Sequence, residues 1–224
     1  MICIAIDGPA GSGKSTVSKL VANRLGFVSI DTGALYRAVA YYFKINEIDY
    51  NSEEEIKKQL GNISLNVENS IGEFKVFLNG EDINSKIRSQ DITYISSRIS
   101  KFKSVRDFLL SMQRNLAEKN NCVMDGRDIG TVVMPNASVK IFLTASLEVR
   151  AMRRFYQMNK SIKYENVLEN LKKRDYEDIH RENSPLLKAP DAFVCDNSDY
   201  TLEETINKIC DIIKESLKNE QVNL

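Results

Sequence analysis

Eight residues near the start of the chain, Gly8-Pro9-Ala10-Gly11-Ser12-Gly13-Lys14-Ser15, have the types and spacing of an anion cradle. They fit G-x-x-x-x-G-K-[ST] residue for residue. The glycines let the backbone curl until successive N–H groups point inward at phosphate oxygens, at the start of a helix. Lys14 adds a point charge that reaches β and γ phosphates, and the Ser15 hydroxyl suits Mg2+. A Gly-rich turn without a ligand is the plain alternative, and the flanking sequence argues against it. Ile2-Cys3-Ile4-Ala5-Ile6 reads as a buried parallel strand. Val17, Leu20, Val21 and Leu25 then recur at helical spacing until Gly26, a helix-ending residue. Strand, loop and helix are the setting the motif needs.

Three further groups carry charge in useful places. Phe27 to Ile30 is a short strand running into Asp31-Thr32-Gly33, with Tyr36 and Arg37 in the opening turn of the next helix. Asp31 and Thr32 suit simple capping, yet a strand leading into a helix N-terminus is also a second anion site, where Arg37 adds a bidentate contact. Cys122-Val123-Met124 predicts another core strand, and Asp125-Gly126-Arg127-Asp128-Ile129-Gly130 follows at its carboxyl end, where α/β sheets bind ligands. The third group is helical. Ser146 caps a segment with Arg150, Arg153 and Arg154. After a polar break at 158–163, a second helix from Tyr164 carries Lys172, Lys173, Arg174, Asp175, Asp178 and Arg181. A solvated charged hairpin and a closing lid share this signature, and beside a phosphate loop the lid is the better reading.

The elements that must position these groups alternate strand and helix, with one interruption. Between 45 and 89, Ser52 opens a short polar helix, and Ile63, Leu65 and Val67 alternate with polar residues. Phe74 to Leu78 then runs into an Asn79-Gly80 turn. This predicts a small antiparallel lobe inserted into the parent unit. Two helices follow, Asp91 to about Ser100 and Ser104 to Lys119, the second with Ser104 as its expected cap. Arg106 lies off the apolar face of that second helix, near its N-terminus, and spacing alone does not exclude a solvated surface arginine there. Strands are expected again at Val139 to Leu143 and at Ala192 to Cys195. A capping box, Thr201-Leu202-Glu203-Glu204, begins a last helix whose Leu202, Ile206, Ile209, Ile213 and Leu217 should pack on the sheet, with a frayed tail from Asn219.

Composition bounds the partners. In 224 residues, 31 Lys and Arg balance 31 Asp and Glu, so nothing global suggests nucleic acid or a membrane surface. No apolar run approaches a membrane span, and Met1 leads directly into a strand, so no leader is expected. Cys3, Cys122, Cys195 and Cys210 lack metal-ligand spacing and read as buried free thiols, pointing to the cytoplasm. The single histidine, His180, is given a surface or structural role. The nearest match to a guanine-reading Asn-Lys-x-Asp element, Asn159-Lys160-Ser161-Ile162, lacks its aspartate, which argues against a GTPase switch.

Taken together, Ile6 to Ser15, Asp31-Thr32-Gly33-Ala34-Leu35-Tyr36-Arg37 and Asp125 to Val133 resemble the bacterial cytidylate kinase family. Lys173-Arg174-Asp175, Asp178 and Arg181 extend the match, which runs from Ile2 to the last helix. The resemblance implies an α/β P-loop NTPase three-layer fold with a five-stranded parallel core sheet. It also implies an inserted antiparallel nucleoside-monophosphate-binding lobe (about 45–89) and a helical lid (about 151–181), the core being about 1–44, 90–150 and 182–224. The implied reaction moves the γ-phosphoryl group of ATP, with Mg2+, to CMP or dCMP in a monomeric enzyme. Gly8, Pro9, Ala10, Gly11, Ser12, Gly13, Lys14, Ser15 and Thr16 would surround the ATP phosphates, and Arg153 and Arg154 would meet ATP. Arg37, Arg127 and Arg181, with Asp31 and Thr32 beside them, would hold the CMP phosphate. Arg174 and Asp178 would reach phosphate and sugar, and Ser97, Arg106 and Asp128 would surround the base. Lys14, Arg127, Asp128 and Arg181 form the expected catalytic set. Ser15 is the expected metal ligand, and Asp125 or Asp128 would support Mg2+ through water. A kinase for AMP, UMP or shikimate, and a nucleotide-binding module without turnover, remain the alternatives.

Overall fold

The structure, a computed structural model, describes residues 1–222. In chain order it begins with β1 (Cys3–Asp7), α1 (Lys14–Leu25), β2 (Val28–Asp31), α2 (Thr32–Ile45) and α3 (Glu53–Leu60). A hairpin region follows, β3 (Leu65–Ser70), β4 (Glu73–Leu78) and β5 (Glu81–Asp82), then α4 (Gln90–Ile99) and α5 (Lys103–Glu118). After β6 (Cys122–Gly126) comes a π-helical turn, Ile129–Val133, and then β7 (Val139–Thr144). The last elements are α6 (Leu147–Gln157), α7 (Tyr164–His180), β8 (Phe193–Asp196) and α8 (Leu202–Val222).

Five strands pair in parallel in the order β2-β6-β1-β7-β8. Their continuous apolar runs are explained by burial on both faces. On one face Ile4, Ile6 and Val123 pack with Val17 and Val21 of α1 and with Ile206, Ile209 and Ile213 of α8. On the other, Cys3, Ala5, Cys122 and Met124 pack with Ile30, Ala117 and Ile129. All four cysteines are buried and free, as their apolar surroundings predict. The register sets the carboxyl edge: Asp7 lies opposite Gly126, and Asp31 opposite Asp125. The chain leaves β1 toward β2 on one side and later returns to β7 on the other. That reversal opens a crevice over the strand ends.

The inserted lobe is antiparallel, in the order β3-β4-β5, and Asn79-Gly80 turns β4 into β5 as expected. It shares one apolar cluster with α2, α4 and α5, centred on Phe43, Ile56, Val76, Ile83, Ile92 and Leu109. The caps of α3 and α6 form through Ser52 and Ser146, and Thr201 with Glu204 makes the reciprocal box at α8.

Three local expectations fail. Helix α5 starts a residue early, after Phe102, and Ser104 instead donates to Glu53 Oε1 of α3. Leu202 is 48% exposed rather than packed on the sheet, because the first turn of α8 lies at the mouth of the crevice. Helix α8 continues past Asn219 to Val222, and residues 223 and 224 lie outside the described residues.

Gly8 has φ +152°, and a Cβ there would sit 2.0 Å from the Leu143 carbonyl oxygen of β7. Backbone overlap of that kind cannot be relieved by rotating a side chain. Gly8→Ala is therefore expected to lower stability by about 2 kcal/mol or more, read as a lower urea midpoint, and to weaken ATP binding in the same protein.

Candidate active site

One end of the crevice is built by the loop between β1 and α1. Gly11 (φ +77°) and Gly13 (φ +91°) adopt left-handed backbone conformations that other residues resist, which turns the loop around the start of α1. Ala10, Gly11, Gly13, Lys14, Ser15 and Thr16 line a cavity of about 700 Å3. Gly8, Pro9 and Ser12 do not line it and shape the loop from behind. Lys14 is buried, and its Nζ donates to Pro9 O at 2.6 Å and to Ser12 Oγ at 3.3 Å. Burial and the nearby charge of Arg127 hold its pKa well below the ordinary lysine value. Ser15 Oγ donates to Asp125 Oδ2 at 2.8 Å, while Asp125 Oδ1 is buried without a partner. Burial, and next the charge of Asp31, raise the Asp125 pKa to about 7. A hydroxyl and a carboxylate with one orphaned oxygen are a donor set that fits Mg2+.

The other end is lined by arginines. Asp31 caps α2 by accepting from Ala34 N at 3.0 Å, and its second oxygen accepts from Arg37 Nη2 at 2.8 Å. Thr32 is no cap: it sits inside α2, and its hydroxyl donates to the Asp125 carbonyl at 2.7 Å. Arg127 Nε donates to Asp178 Oδ2 at 2.9 Å. Beyond them Arg106 and Asp128 form a buried ion pair through Nη2 and Oδ2, and the Tyr36 ring lies 5.6 Å from the Arg106 guanidinium. Burial raises the Tyr36 pKa to about 12, so the phenol stays neutral. Arg106 is thus no surface arginine. Ser97 and Ser96 of α4 line the same end.

Two helices complete the walls. Arg174, Asp178 and Arg181 recur at i, i+4 and i+7 and face the cavity, while Lys172 and Lys173 point to solvent. Arg181 lies 3.7 Å from Asp178 and 4.0 Å from Asp128. Burial works against the charge of Asp178, but Arg127, Arg174 and Arg181 outweigh it and keep its pKa below the ordinary value. Burial and then Arg127 pull the Arg174 pKa down to about 10, a sign of crowded positive charge. Arg153 and Arg154 both line the cavity. Arg153 is held by Asn197, donating to its side-chain and backbone oxygens at 2.9 Å each. Arg150 turns away from the cavity. It donates to Ala145 O, to Ala10 O of the phosphate loop and, at 2.6 Å, to Asp175 of α7.

The crevice therefore brings together the residues expected at both ends, and it adds some that the sequence did not single out. Asn197 donates to Ser12 O at 3.1 Å besides holding Arg153; Arg150 and Asp175, noted in the sequence as charged helical residues without a role of their own, tie the helical hairpin to the loop. Asp7, next to the loop, accepts from Ile129 N and Gly130 N at 2.8 and 2.7 Å. Burial raises its pKa to about 6, with those two hydrogen bonds working the other way. Its place in Ile6-Asp7-Gly8 was the only signal available. His180 is exposed, stacked on Tyr176, and does not line the cavity.

One crevice with two cationic ends suits a transfer between two phosphate-bearing partners, and that places the chain among the P-loop kinases. A solved gluconokinase from Sinorhizobium meliloti shares the fold, with a TM-score of 0.52 at 16% identity, over 99% of this chain and 97% of that one. A family model described as Cytidylate kinase matches residues 4–215, and the chain belongs to that family. It is 50% identical to a cytidylate kinase of Thermodesulfovibrio yellowstonii over 91% of this chain and 94% of that protein. A cytidylate kinase of Caldicellulosiruptor bescii is 44% identical over 98% of each.

Removing one partner of a buried ion pair leaves the other charge stranded. Arg106→Met is expected to lower stability by about 3 kcal/mol, near the low end for such pairs because Arg181 stays close to Asp128. Adding Asp128→Asn should return much of that loss. Urea denaturation of the two variants checks both expectations.

Proposed function

We propose that this enzyme transfers the γ-phosphoryl group of ATP to CMP or dCMP, releasing ADP and CDP or dCDP. The observation that carries the acceptor is the buried Arg106–Asp128 pair at the far end of the cavity. Cytosine presents an N4 amine donor beside the N3 and O2 acceptors, and a carboxylate beside an arginine matches that edge. Uracil sets an oxygen where the amine would be, against the carboxylate.

On this reading Ala10 to Thr16 enclose the ATP phosphates with backbone N–H groups, and Arg153 and Arg154 lie along ATP. Arg37, Arg127 and Arg181 hold the CMP phosphate, Arg174 and Asp178 reach phosphate and sugar, and Ser97 joins Arg106 and Asp128 at the base. Ser15 and Asp125 would hold Mg2+, with the hydroxyl as the direct ligand. When bound with ATP, Mg2+ neutralises charge on the β and γ phosphates. A phosphate acceptor is already anionic, so no strong general base is needed, and the lack of a histidine in the crevice is no obstacle. The protein's own contribution is alignment and positive charge: Lys14 leaves its loop carbonyl for the transferring group, and the arginines stabilise a loose phosphoryl transition state.

The functional division follows the same lines. Residues 45–89 form the acceptor lobe, and about 151–181 the lid that excludes water as a competing acceptor. The reading includes a monomer without a nucleic-acid partner, in keeping with balanced charge, and a reducing cytoplasmic setting, in keeping with four free cysteines. Among the described residues no helix is long and apolar enough to cross a membrane.

An ADP-release assay with CMP, dCMP, UMP, AMP and shikimate tests the acceptor. Turnover should be greatest with CMP or dCMP; no turnover with either overturns the proposal. Asp128→Ala is expected to lower kcat/KM for CMP about 100-fold more than for UMP, because the matched base leaves buried groups unpaired. Equal losses would remove Asp128 from base reading. Chelating divalent metal should stop CMP-dependent ADP release, and Ser15→Ala should raise the Mg2+ concentration needed for half-maximal rate.

A further inference from the structure

The π-helical turn directly after Asp128 is held at both ends by residues that lie outside the cavity. Its first two N–H groups, Ile129 and Gly130, have no partner within the turn, and both are taken by Asp7 through separate carboxylate oxygens at 2.8 and 2.7 Å. The Asp128 carbonyl accepts from Val132 N and Val133 N at 2.9 and 3.1 Å. At the far end Arg114 donates from Nε to Val133 O at 3.0 Å and from Nη2 to Val132 O at 3.1 Å. Asp7 is buried to 5% exposure and sits at the end of the central strand, whereas Arg114 faces solvent on α5. Arg106 is two helical turns before Arg114 on the same helix, so α5 supplies both the partner of the Asp128 side chain and the brace of its backbone turn.

A π-helical turn is uncommon and does not persist on local propensity alone. An anion that satisfies both leading N–H groups fixes the backbone immediately after Asp128, and a guanidinium bonded to two trailing carbonyls fixes the other end. The direction of the Asp128 carboxylate follows from that fixed backbone.

We propose that Asp7 and Arg114 are positioning residues for base selection: together they clamp the 129–133 turn and so aim Asp128 at the acceptor base. The proposal rests on the reading of Asp128 as a base-contacting group. Neither residue needs to touch a substrate. Asp7 also adjoins Gly8, so shaping the phosphate loop is the competing explanation. The two roles separate cleanly, because a loop role acts on ATP and a clamp role acts on the choice of acceptor.

The test is steady-state kinetics on the full chain with ATP and either CMP or UMP, for the wild type, Asp7→Asn, Arg114→Met and Asp128→Ala. Asparagine keeps the size of Asp7 but offers one acceptor oxygen and sets an amide against the second N–H. Misplacement by about an ångström costs on the order of 100-fold in a positioned reaction. Asp7→Asn is expected to lower kcat/KM for CMP by about that factor, mainly through KM, while KM for ATP stays within about twofold. Its CMP-over-UMP preference should fall about tenfold or more, and Arg114→Met should move it in the same direction by a smaller factor. Preference unchanged in both variants, or losses equal for CMP and UMP, overturns the clamp, and so does an Asp7→Asn effect confined to KM for ATP. If Asp7→Asn does not fold, Arg114→Met decides alone, since that side chain is exposed and distant from the loop. If Asp128→Ala leaves the preference intact, base reading by Asp128 fails and the clamp falls with it. If only Asp128→Ala relaxes it, the clamp alone is wrong.

Discussion

Positive charge held in a confined space is the constraint that the rest of this structure serves. Lys14, Arg37, Arg88, Arg106, Arg127, Arg153, Arg154, Arg174 and Arg181 all line one cavity, against Asp31, Asp125, Asp128 and Asp178. The whole chain is electrically balanced, so this excess is local and deliberate in its placement. Like charges brought together at low dielectric repel strongly unless anions are interleaved. Three of the four aspartates do that work for a neighbour: Asp31 for Arg37, Asp128 for Arg106, and Asp178 for Arg127 and Arg181, whereas Asp125 accepts from Ser15. Burial lowers the pKa values of Lys14 and Arg174, and the charge of Arg127 lowers both further.

The fold satisfies the constraint through register. Parallel pairing aligns the carboxyl ends of β2, β6 and β1, so that Asp31, Asp125 and Asp7 arrive at one edge from sequence positions far apart. The α6–α7 hairpin is tied into the same system. Arg150 joins the loop at Ala10 to Asp175, the neighbour of Arg174, and Ala10 also packs in the apolar cluster with Ala151, Val167 and Leu171. The phosphate loop is thereby joined by direct contacts to the helix that carries Arg174, Asp178 and, at its end, Arg181.

Much of this was legible in the sequence, for reasons that differ residue by residue. The phosphate loop is a local motif whose geometry depends on its own glycines, so Gly8 to Ser15 announce themselves. Asp31, Ser52 and Thr201 act within one helical turn and are readable for the same reason. Arg106 was not readable by spacing. It lies off the apolar stripe of α5 and is buried only because Asp128, 22 residues on, meets it. Ser104 has the chemistry of a cap, yet a contact to Glu53 claims its hydroxyl and the helix begins before it. Leu202 fits the apolar period of α8 but falls where that helix overhangs the crevice. Asp7 is the clearest case of missing information: its two N–H donors lie 122 and 123 residues away, and no local pattern points to them.

The cavity also explains why an acceptor phosphate should assemble the site rather than merely occupy it. Nε of Arg37, Arg106 and Arg174 and Nη2 of Arg181 are buried with no hydrogen-bond partner among the described residues. An unsatisfied buried donor costs about 1–3 kcal/mol, and more when it is charged. Phosphate oxygens offer several acceptors in the geometry guanidinium groups prefer, so a bound acceptor relieves several such deficits at once. Three of these four arginines come from different elements, α2, α5 and α7, and Arg181 follows directly on α7. On the proposed reading, the relief is therefore complete only when α2, α5 and α7 present these groups together. On the same reading, closure of the α6–α7 hairpin would draw on that binding energy, because a closed arrangement gains contacts that an open one lacks. Water, which carries no such charge, gives the arginines much less reason to close. On the proposed reading, this difference is what keeps ATP from being hydrolysed while the acceptor end stands empty.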